Sequence, residues 1–296
     1  ELEAAMMSLA RRHDAEFTSC AGEDLLRRGL RLIHGVGRAA SRAPRLAEFT
    51  WGSLQHPKIT LVGKGVVFDS GGLDIKPSSN MLLMRKDMGG AANVLGLAHM
   101  IMAAALKVRL RVLIPAVENA ISGNAYRPGD VITSYKGLTV EIGNTDAEGR
   151  LILADALALA DEEAPDLLID MATLTGAART ALGPELPAFY CTDDALAGTM
   201  LTAGAAESDP FWRMPLWAPY AKWLDTPFAD INNAGNSSFA GSITGALFLQ
   251  RFIEKSKAWA HFDIYAWNQS SSASRAIGGE AQVIRALFRV LSDRYA

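Results

Sequence analysis

The first 50 residues of the chain carry apolar side chains at helical spacing. Leu2, Met6 and Leu9 are three or four positions apart, and the same spacing recurs between Leu25 and Ile33. Polar and basic residues fill most of the positions between them. The pattern therefore predicts two helices, which we expect to form a helical entry segment over residues 1–50.

Beyond that segment, short apolar runs alternate with longer stretches of helical spacing. Strands are predicted over residues 59–62, 66–68, 110–115, 167–170, 189–190 and 259–265. Helices are predicted over residues 88–106, 151–161, 243–253 and 281–291. This alternation predicts an α/β fold: a mostly parallel mixed sheet with helices on both faces, in a single domain. Ligands of such folds bind beyond the carboxyl ends of the strands, so the loops there are candidates for the functional site.

One predicted helix, residues 88–106, carries no formal charge and is long enough to span a bilayer. Its apolar character comes largely from Ala and Gly, and it also contains Asn93 and His99. Ionisable residues, Asp87 and Lys107, bracket it on both sides. We therefore expect a helix packed inside an α/β core and no membrane partner.

Composition and charge narrow the class further. The chain is 49% apolar and 21% charged, which is typical of a soluble globular protein with a large core. A formal net charge of −3 creates no global field that would attract nucleic acid or anionic lipid. Two cysteines, Cys20 and Cys191, without a recognisable signal peptide argue against a disulfide framework and predict a cytoplasmic location.

The most distinctive polar motif is the stretch from Asn144 to Leu151, where Asp146, Glu148 and Arg150 occupy alternate positions. In an extended segment, residues two apart point to the same side. We therefore expect these three side chains to share one face until a helix begins near Leu151. Taken alone, such a motif is also typical of a solvated strand end with an acid at a helix start.

Two further acids follow predicted strands or border a predicted loop, and all four could converge on one crevice. They are Asp69 and Asp87, which join Asp146 and Glu148. Clustered carboxylates repel one another and take up protons unless cations hold them ionised. Oxygen-rich ligation suits Mg²⁺ or Mn²⁺, and Zn²⁺ also accepts carboxylates. No histidine lies in these loops, so the sequence predicts a divalent metal site built from carboxylates.

Two lysines accompany these acids. Lys64 lies between two glycines that interrupt the strand run, and Lys76 lies in the long Gly-, Ser- and Pro-rich loop that follows Asp69. An ammonium group repels metal ions, and only a neutral amine can coordinate one. One lysine could therefore be a neutral ligand and the other a charged group that stabilises an oxyanion, although for Lys64 alone a surface position is the simpler interpretation.

Four stretches of the sequence resemble the leucyl (cytosol) aminopeptidases, a family of two-metal exopeptidases. They are residues 62–72 (VGKGVVFDSGG), 75–77 (IKP), 84–91 (MRKDMGGA) and 144–151 (NTDAEGRL). Supporting similarity over residues 126–130, 172–177 and 259–264 extends the resemblance over nearly the whole chain. It implies a hydrolase that releases N-terminal amino acids, with a leucine- or methionine-like preference, from peptides.

The resemblance implies two divalent metal ions, Mn²⁺ or Zn²⁺, with Mg²⁺ as a further alternative. Lys64, Asp69, Asp87 and Glu148 would hold one ion, and Asp69, Asp146 and Glu148 would hold the other. Two charged residues would then act on the reaction. The resemblance implies that Lys76 polarises the scissile carbonyl and that Arg150 holds a bicarbonate, which relays a proton from the attacking water.

Met84, Thr173 and Gly176 would line the specificity pocket of such an enzyme. Members of the family usually show a run of small residues after an Asp-Ile pair, whereas this chain continues with residues 265–268 (YAWN). This departure bears on the shape of the pocket and hence on the side chain that it prefers.

The resemblance also implies a homo-hexamer and an additional N-terminal domain. The sequence lacks that domain and begins with Glu1, so we expect residues 1–296 to be the catalytic domain of a longer protein. Two other functions remain open at this point. Some members of the family bind DNA, which the net charge does not favour, and a metal-dependent phosphoesterase would share the carboxylates without accounting for the two lysines.

Overall fold

The protein is described by a computed structural model that covers residues 1–273 and 275–296. The helices are α1 Leu2–Arg12, α2 Glu23–Arg27, α3 Arg31–Gly37, α4 Ser78–Met81, α5 Gly89–Ala103, α6 Glu148–Asp161, α7 Gly176–Leu182, α8 Asp194–Ala206, α9 Gly241–Gln250 and α10 Ile284–Tyr295. Short 3-10 helices cover Met84–Lys86 and Ala218–Leu224.

The strands are β1 Glu16–Ala21, β2 Arg45–Trp51, β3 Lys58–Gly63, β4 Gly65–Asp69, β5 Arg109–Asn119, β6 Val131–Thr133, β7 Thr139–Glu141, β8 Leu167–Ala172, β9 Ala188–Cys191, β10 Trp212–Arg213, β11 Ile231–Asn232, β12 Trp259–Asp263, β13 Trp267–Asn268 and β14 Gly278–Gly279. The large sheet has the order β1-β2-β5-β3-β8-β12-β9-β10, and β4 also pairs with β5.

The large sheet is mixed, and its centre is parallel. Strands β5, β3, β8 and β12 run parallel to one another, whereas β1, β2 and β9 join by antiparallel pairing. Side chains alternate between the two faces: Leu61 packs with α1, α5, α8 and α10, and the next residue, Val62, packs with α2, α3, α6 and α9. The predicted α/β fold with helices on both faces is therefore confirmed.

The entry segment differs from the prediction, because it is not helical throughout. Residues 16–21 and 45–51 form β1 and β2, which extend the large sheet as an antiparallel pair. Strand β1 has the sequence EFTSCA, in which polar and apolar residues do not alternate and every side chain is exposed or half-buried, so it lacks the pattern that predicts a strand. The helix predicted over residues 25–33 is two helices, separated at Gly29, whose φ of 80° is left-handed.

Two further differences concern helices. Helix α6 begins at Glu148 rather than near Leu151, and α8 was not predicted, because its apolar residues are mostly Ala and Gly without a strong stripe. Among the described residues, none of the helices is both long and apolar enough to cross a bilayer.

Candidate metal centre

The candidate site lies beyond the carboxyl ends of the central parallel strands. Asp69 and Asp263 are the last residues of β4 and β12, and Thr173 directly follows β8. Lys64 lies between β3 and β4, where its backbone N–H donates to Met171 of β8 and its carbonyl accepts from Ala91 of α5. The fold therefore directs these side chains into the crevice at which α/β proteins bind ligands.

Close backbone packing at Lys64 depends on glycine. A Cβ on Gly63 would lie 2.6 Å from the Cα of Ala91, and a Cβ on Gly90 would lie 2.2 Å from the carbonyl oxygen of Met171. Both distances are too short for any side chain. The two glycines thus let the start of α5 lie directly on the strand ends, and this contact places Asp87, just before α5, beside Lys64.

Three carboxylates form the centre of the site. One oxygen from each of Asp69, Asp146 and Glu148 lies within 4.8 Å of the other two. Asp69 and Glu148 are buried, with 2% and 1% exposure, whereas Asp146 is partly open to the cavity. Asp146 and Glu148 come together because residues 144–147 turn directly into α6, with Asn144 Oδ1 accepting the backbone N–H of Asp146 at 2.7 Å.

Each lysine bridges two of the acids. Lys64 Nζ lies 2.8 Å from Asp87 Oδ2 and 2.9 Å from Glu148 Oε1, and it donates to the carbonyl of Thr173 at 3.0 Å. Lys76 Nζ lies 2.8 Å from Asp69 Oδ2 and 2.5 Å from Asp146 Oδ1. Each of the four carboxylates is therefore paired with one of the two ammonium groups.

Burial and mutual repulsion change the protonation of the acids. Burial, followed by the nearby charge of Asp69, raises the pKa of Glu148 to about 8, and burial raises the pKa of Asp146 to about 6. Burial also raises the pKa of Asp87. For Lys64, burial opposes the charged form, but the neighbouring carboxylates outweigh it and raise its pKa. Without metal ions, these carboxylates are therefore stabilised either by taking up protons or by pairing with the two lysines.

The donor set fits divalent metal ions. Glu148 Oε2 is buried and finds no hydrogen-bond partner among the described residues, although a buried carboxylate oxygen ordinarily has one. The clustered ligand atoms are carboxylate oxygens, which Mg²⁺ and Mn²⁺ prefer and Zn²⁺ accepts. A cation at this position would give that oxygen its missing partner.

Arg150 does not share a face with Asp146 and Glu148, contrary to the prediction from alternate positions. Because α6 begins at Glu148, residues two apart point to different sides. Arg150 Nη1 donates to the carbonyl of Asn233 at 2.7 Å, and its guanidinium lies 6.0 Å from the ring centre of Phe248. Its Nε is buried with no hydrogen-bond partner among the described residues, and burial lowers the pKa of Arg150 to about 10. Arg150 is thus a buried cation with a donor available to an anion.

The three residues expected in the specificity pocket, Met84, Thr173 and Gly176, line one cavity of about 560 Å³ together with the carboxylates and both lysines. Thr173 also orients a predicted ligand, because its hydroxyl donates to Asp87 Oδ1 at 2.7 Å. Tyr265, where the sequence departs from the family pattern, lines the same cavity. The metal centre and the predicted pocket are therefore continuous.

The sequence as a whole matches a known protein family. Residues 1–288 match the model of the cytosol aminopeptidase family, catalytic domain. The chain belongs to this family. A probable cytosol aminopeptidase of Chlorobium limicola is 40% identical over 98% of this chain and 58% of the relative, and one of Syntrophotalea carbinolica is 45% identical over 92% and 55%. The chain thus spans about half the length of these curated relatives.

Solved structures of relatives share the fold closely. The crystal structure of the cytosol aminopeptidase from Coxiella burnetii superposes with a TM-score of 0.98 at 53% identity, covering 100% of this chain and 65% of that one. The bottromycin maturation enzyme BotP, solved in complex with Mn, superposes with a TM-score of 0.93 at 38% identity, covering 99% of this chain and 65% of that one. The predicted family and fold class are confirmed.

The sequence analysis did not identify the residues that orient the candidate metal ligands. Asn119, the last residue of β5, donates from Nδ2 to Asp69 Oδ1 at 2.8 Å and to the Thr145 carbonyl at 3.0 Å. The hydroxyl of Tyr126 donates to the same carbonyl at 2.5 Å. Asn119 could have been found, because it is a polar residue that ends a buried strand. The contact of Tyr126 depends on the path of a loop and has no local signal.

Proposed function

We propose that this chain is the catalytic domain, over residues 1–296, of a metal-dependent exopeptidase. It releases N-terminal amino acids, with a preference for leucine- or methionine-like side chains, from peptides. The observation that carries the proposal is the convergence of four carboxylates and two lysines in the same cavity as the predicted pocket residues. Membership of the cytosol aminopeptidase family supports this assignment of activity.

Five residues would hold two divalent ions. They are Lys64, Asp69, Asp87, Asp146 and Glu148. The ions would be Mn²⁺ or Zn²⁺, with Mg²⁺ as a further alternative. When bound, such ions lower the pKa of water and polarise a carbonyl group, which is the chemistry that peptide hydrolysis needs. The orphaned oxygen of Glu148 and the all-carboxylate cluster support this ligand set, and the Mn complex of BotP supports the choice of metal.

Lys76 and Arg150 would act on charge that develops during the reaction. Lys76 is only partly buried, and its ammonium faces the cavity, so it can donate to the substrate oxygen that becomes negative. The unpartnered Nε of Arg150 supports the binding of a small anion. We propose bicarbonate as this anion, with the proton of the attacking water passing to it.

Charge balance at the centre supports a preference for a free amino terminus. The four carboxylates would balance two bound divalent ions, so a neutral donor would suit the site better than a further anion. A peptide's free α-amino group would lose its proton at modest cost on binding there, and acetylation removes its basicity and adds bulk. The centre thereby selects the first peptide bond rather than an internal one.

The direct test compares leucine p-nitroanilide with its N-acetyl derivative, using protein reloaded with Mn²⁺. We expect hydrolysis of the unblocked anilide and almost none of the acetylated one. Comparable kcat/KM values for the two would refute an exopeptidase anchored on the amino group. A phosphate ester measured alongside should stay intact, and its hydrolysis would favour a phosphoesterase instead.

We further propose that the protein works in the cytoplasm as a homo-hexamer. Large apolar side chains that are more than half exposed, including Trp212, Phe228 and Phe239, support self-association. Light scattering at assay concentrations tests the oligomer, and a purely monomeric species would contradict it for this chain.

A further inference from the structure

Lys86 is a buried cation that the proposed catalytic machinery does not use. It ends the 3-10 helix Met84–Lys86, is 8% exposed and lines the same cavity as the carboxylates. Its Nζ lies 4.6 Å from the ring centre of Tyr265. Within residues 1–273 and 275–296, the Nζ of Lys86 forms neither a hydrogen bond nor an ion pair, unlike those of Lys64 and Lys76.

A second cation lies on the same aromatic side chain. The guanidinium carbon of Arg179, on α7, is 5.2 Å from the ring centre of Tyr265. Arg179 also lines the cavity, and its Nη2 is 4.0 Å from the position that a Cβ on Gly176 would occupy. Gly176 is one of the predicted pocket residues, so Arg179 lies at the pocket wall, and the ring of Tyr265 connects it to Lys86.

A buried ammonium needs a partner that replaces the water it has lost. The face of Tyr265 supplies part of this stabilisation through cation–π attraction, and the phenol is fixed by Gln269, whose Nε2 donates to its hydroxyl at 2.6 Å. The face of an aromatic ring, however, has no lone pair that could accept a hydrogen bond from the ammonium group. The remaining donors of Lys86 are therefore available to a ligand with negatively charged oxygens.

We propose that Lys86, assisted by Arg179, binds the side-chain carboxylate of an N-terminal glutamate, so that acidic residues are released in addition to apolar ones. This inference rests on the proposed exopeptidase function. The glutamate stem is as long as that of methionine and can pack along Met84, while its carboxylate reaches the cationic wall. A pocket without Lys86 and Arg179 would leave such a carboxylate desolvated and without a charged partner.

The test compares unblocked glutamyl, glutaminyl and leucyl p-nitroanilides in the Mn²⁺-loaded protein. Wild type should cleave the glutamyl substrate, and Lys86→Met should lower its kcat/KM by about 10- to 100-fold, as expected for loss of a charge-assisted hydrogen bond. The leucyl value should change less than about threefold. The glutaminyl value should fall less than the glutamyl one, because the amide has similar shape without the charge.

Arg85→Met is the matched control. Arg85 is the adjacent cation and also lies over an aromatic ring, that of Trp267 at 5.3 Å, but it is exposed and does not line the cavity. It should leave all three substrates unchanged. Calorimetric titration with free L-glutamate and L-leucine gives a readout independent of turnover, and Lys86→Gln should weaken only glutamate binding.

Three outcomes would overturn the inference. One is wild-type protein that cleaves the leucyl but not the glutamyl substrate, and another is a Lys86→Met variant that loses both equally. The third is a variant that slows Leu-Gly much more than leucinamide, which would assign Lys86 to the C-terminal carboxylate of a dipeptide. Failure to cleave any unblocked anilide would instead refute the proposed function itself.

Discussion

Asp263 binds Thr175 through both of its oxygens. Oδ1 accepts the backbone N–H of Thr175 at 3.1 Å, and Oδ2 accepts its hydroxyl at 2.5 Å. Oδ1 also accepts the backbone N–H of Leu174 at 3.1 Å. One buried carboxylate at the end of β12 therefore fixes the turn between β8 and α7, which carries Thr173, whose carbonyl binds Lys64, and leads to Gly176.

Replacing this carboxylate should disturb the reaction without removing the metals. An asparagine has one acceptor oxygen instead of two, so Asp263→Asn leaves part of the turn unheld. We expect kcat/KM for leucine p-nitroanilide to fall by about 10- to 100-fold, as for small misplacements of positioning groups. Metal content should stay at the wild-type value, since Asp263 is not a proposed ligand. Tyr190→Phe, which removes only a hydroxyl that donates to Ser242, is the milder control.

The shared ligands should matter most for metal binding. Asp69 and Glu148 belong to both proposed ligand sets, so Glu148→Ala should reduce the binding of both ions, and Asp87→Ala chiefly that of one. Elemental analysis after dialysis against Mn²⁺ measures this, with Glu185→Gln, an exposed acid outside the centre, as the control. Two tightly held ions in Glu148→Ala would contradict the ligand set.

Prolonged chelation should abolish activity, and Mn²⁺ or Zn²⁺ should restore it.

Lys76 should act on the transition state rather than on substrate binding. Lys76→Ala removes a cation that meets negative charge growing on the substrate oxygen. We expect kcat to fall by about a hundredfold or more, on the scale of losing one oxyanion donor. Steady-state kinetics separates the two possibilities. A variant with normal kcat and only a raised KM would show that Lys76 binds substrate instead.

Gly149 should be intolerant of any side chain. A Cβ there would lie 2.7 Å from both Cε and Nζ of Lys64, whose amine is already held by three partners. We expect Gly149→Ala to displace the amine and to weaken metal binding by about 10- to 100-fold, as for other groups that orient metal ligands. Gly198→Ala is the matched control, because Gly198 is also helical and a Cβ there meets nothing within 4 Å. It should raise the free energy of unfolding by about 0.5–1 kcal/mol.

A buried histidine should make stability depend on pH. Burial opposes the charge of His261, but Asp170, whose Oδ1 lies 2.6 Å from Nδ1, outweighs it and raises the pKa of His261. The ion pair therefore contributes fully below the unfolded-state pKa of about 6.5 and is lost as the pH rises through the higher folded-state pKa.

Urea unfolding of the metal-free protein tests this dependence. His261→Gln should lower the free energy of unfolding by about 1–3 kcal/mol at pH 6, because Asp170 loses its charged partner. The difference between wild type and variant should shrink as the pH rises above 6.5 towards 9. A difference that stays constant or grows would contradict the assignment.

The sequence predicted those parts of the molecule whose signal is local. Asp69 follows a short apolar strand, and residues 146–148 precede an apolar helix, so their place at the sheet edge could be inferred from periodicity alone. Arg150 could not be placed in the same way, because its direction depends on whether the helix begins at residue 148 or 151. Over two residues a helix rotates the side-chain direction by about 200°, towards the opposite side, whereas an extended segment returns it to the same side.

Other features depend on tertiary contacts. Strand β1 is stabilised by pairing with β2 rather than by an apolar face of its own, so its sequence carries little strand signal. Lys86 likewise appears in the sequence as one of several charged residues in a loop. Only the fold shows that it is buried against Tyr265, from a segment far along the chain.

The contact between Lys64 and the carbonyl of Thr173 joins residues 109 positions apart, and Asp263 lies further along still. A ribosome delivers the chain from its N-terminus, so Asp69 and Asp87 emerge long before β8 and β12 are synthesised. Until those strands join the sheet, the site lacks the Thr173 carbonyl that holds Lys64 and the turn that Asp263 fixes. If the proposed ligand set is right, we expect metal binding to follow synthesis of β12, so that bound metal would report completed folding.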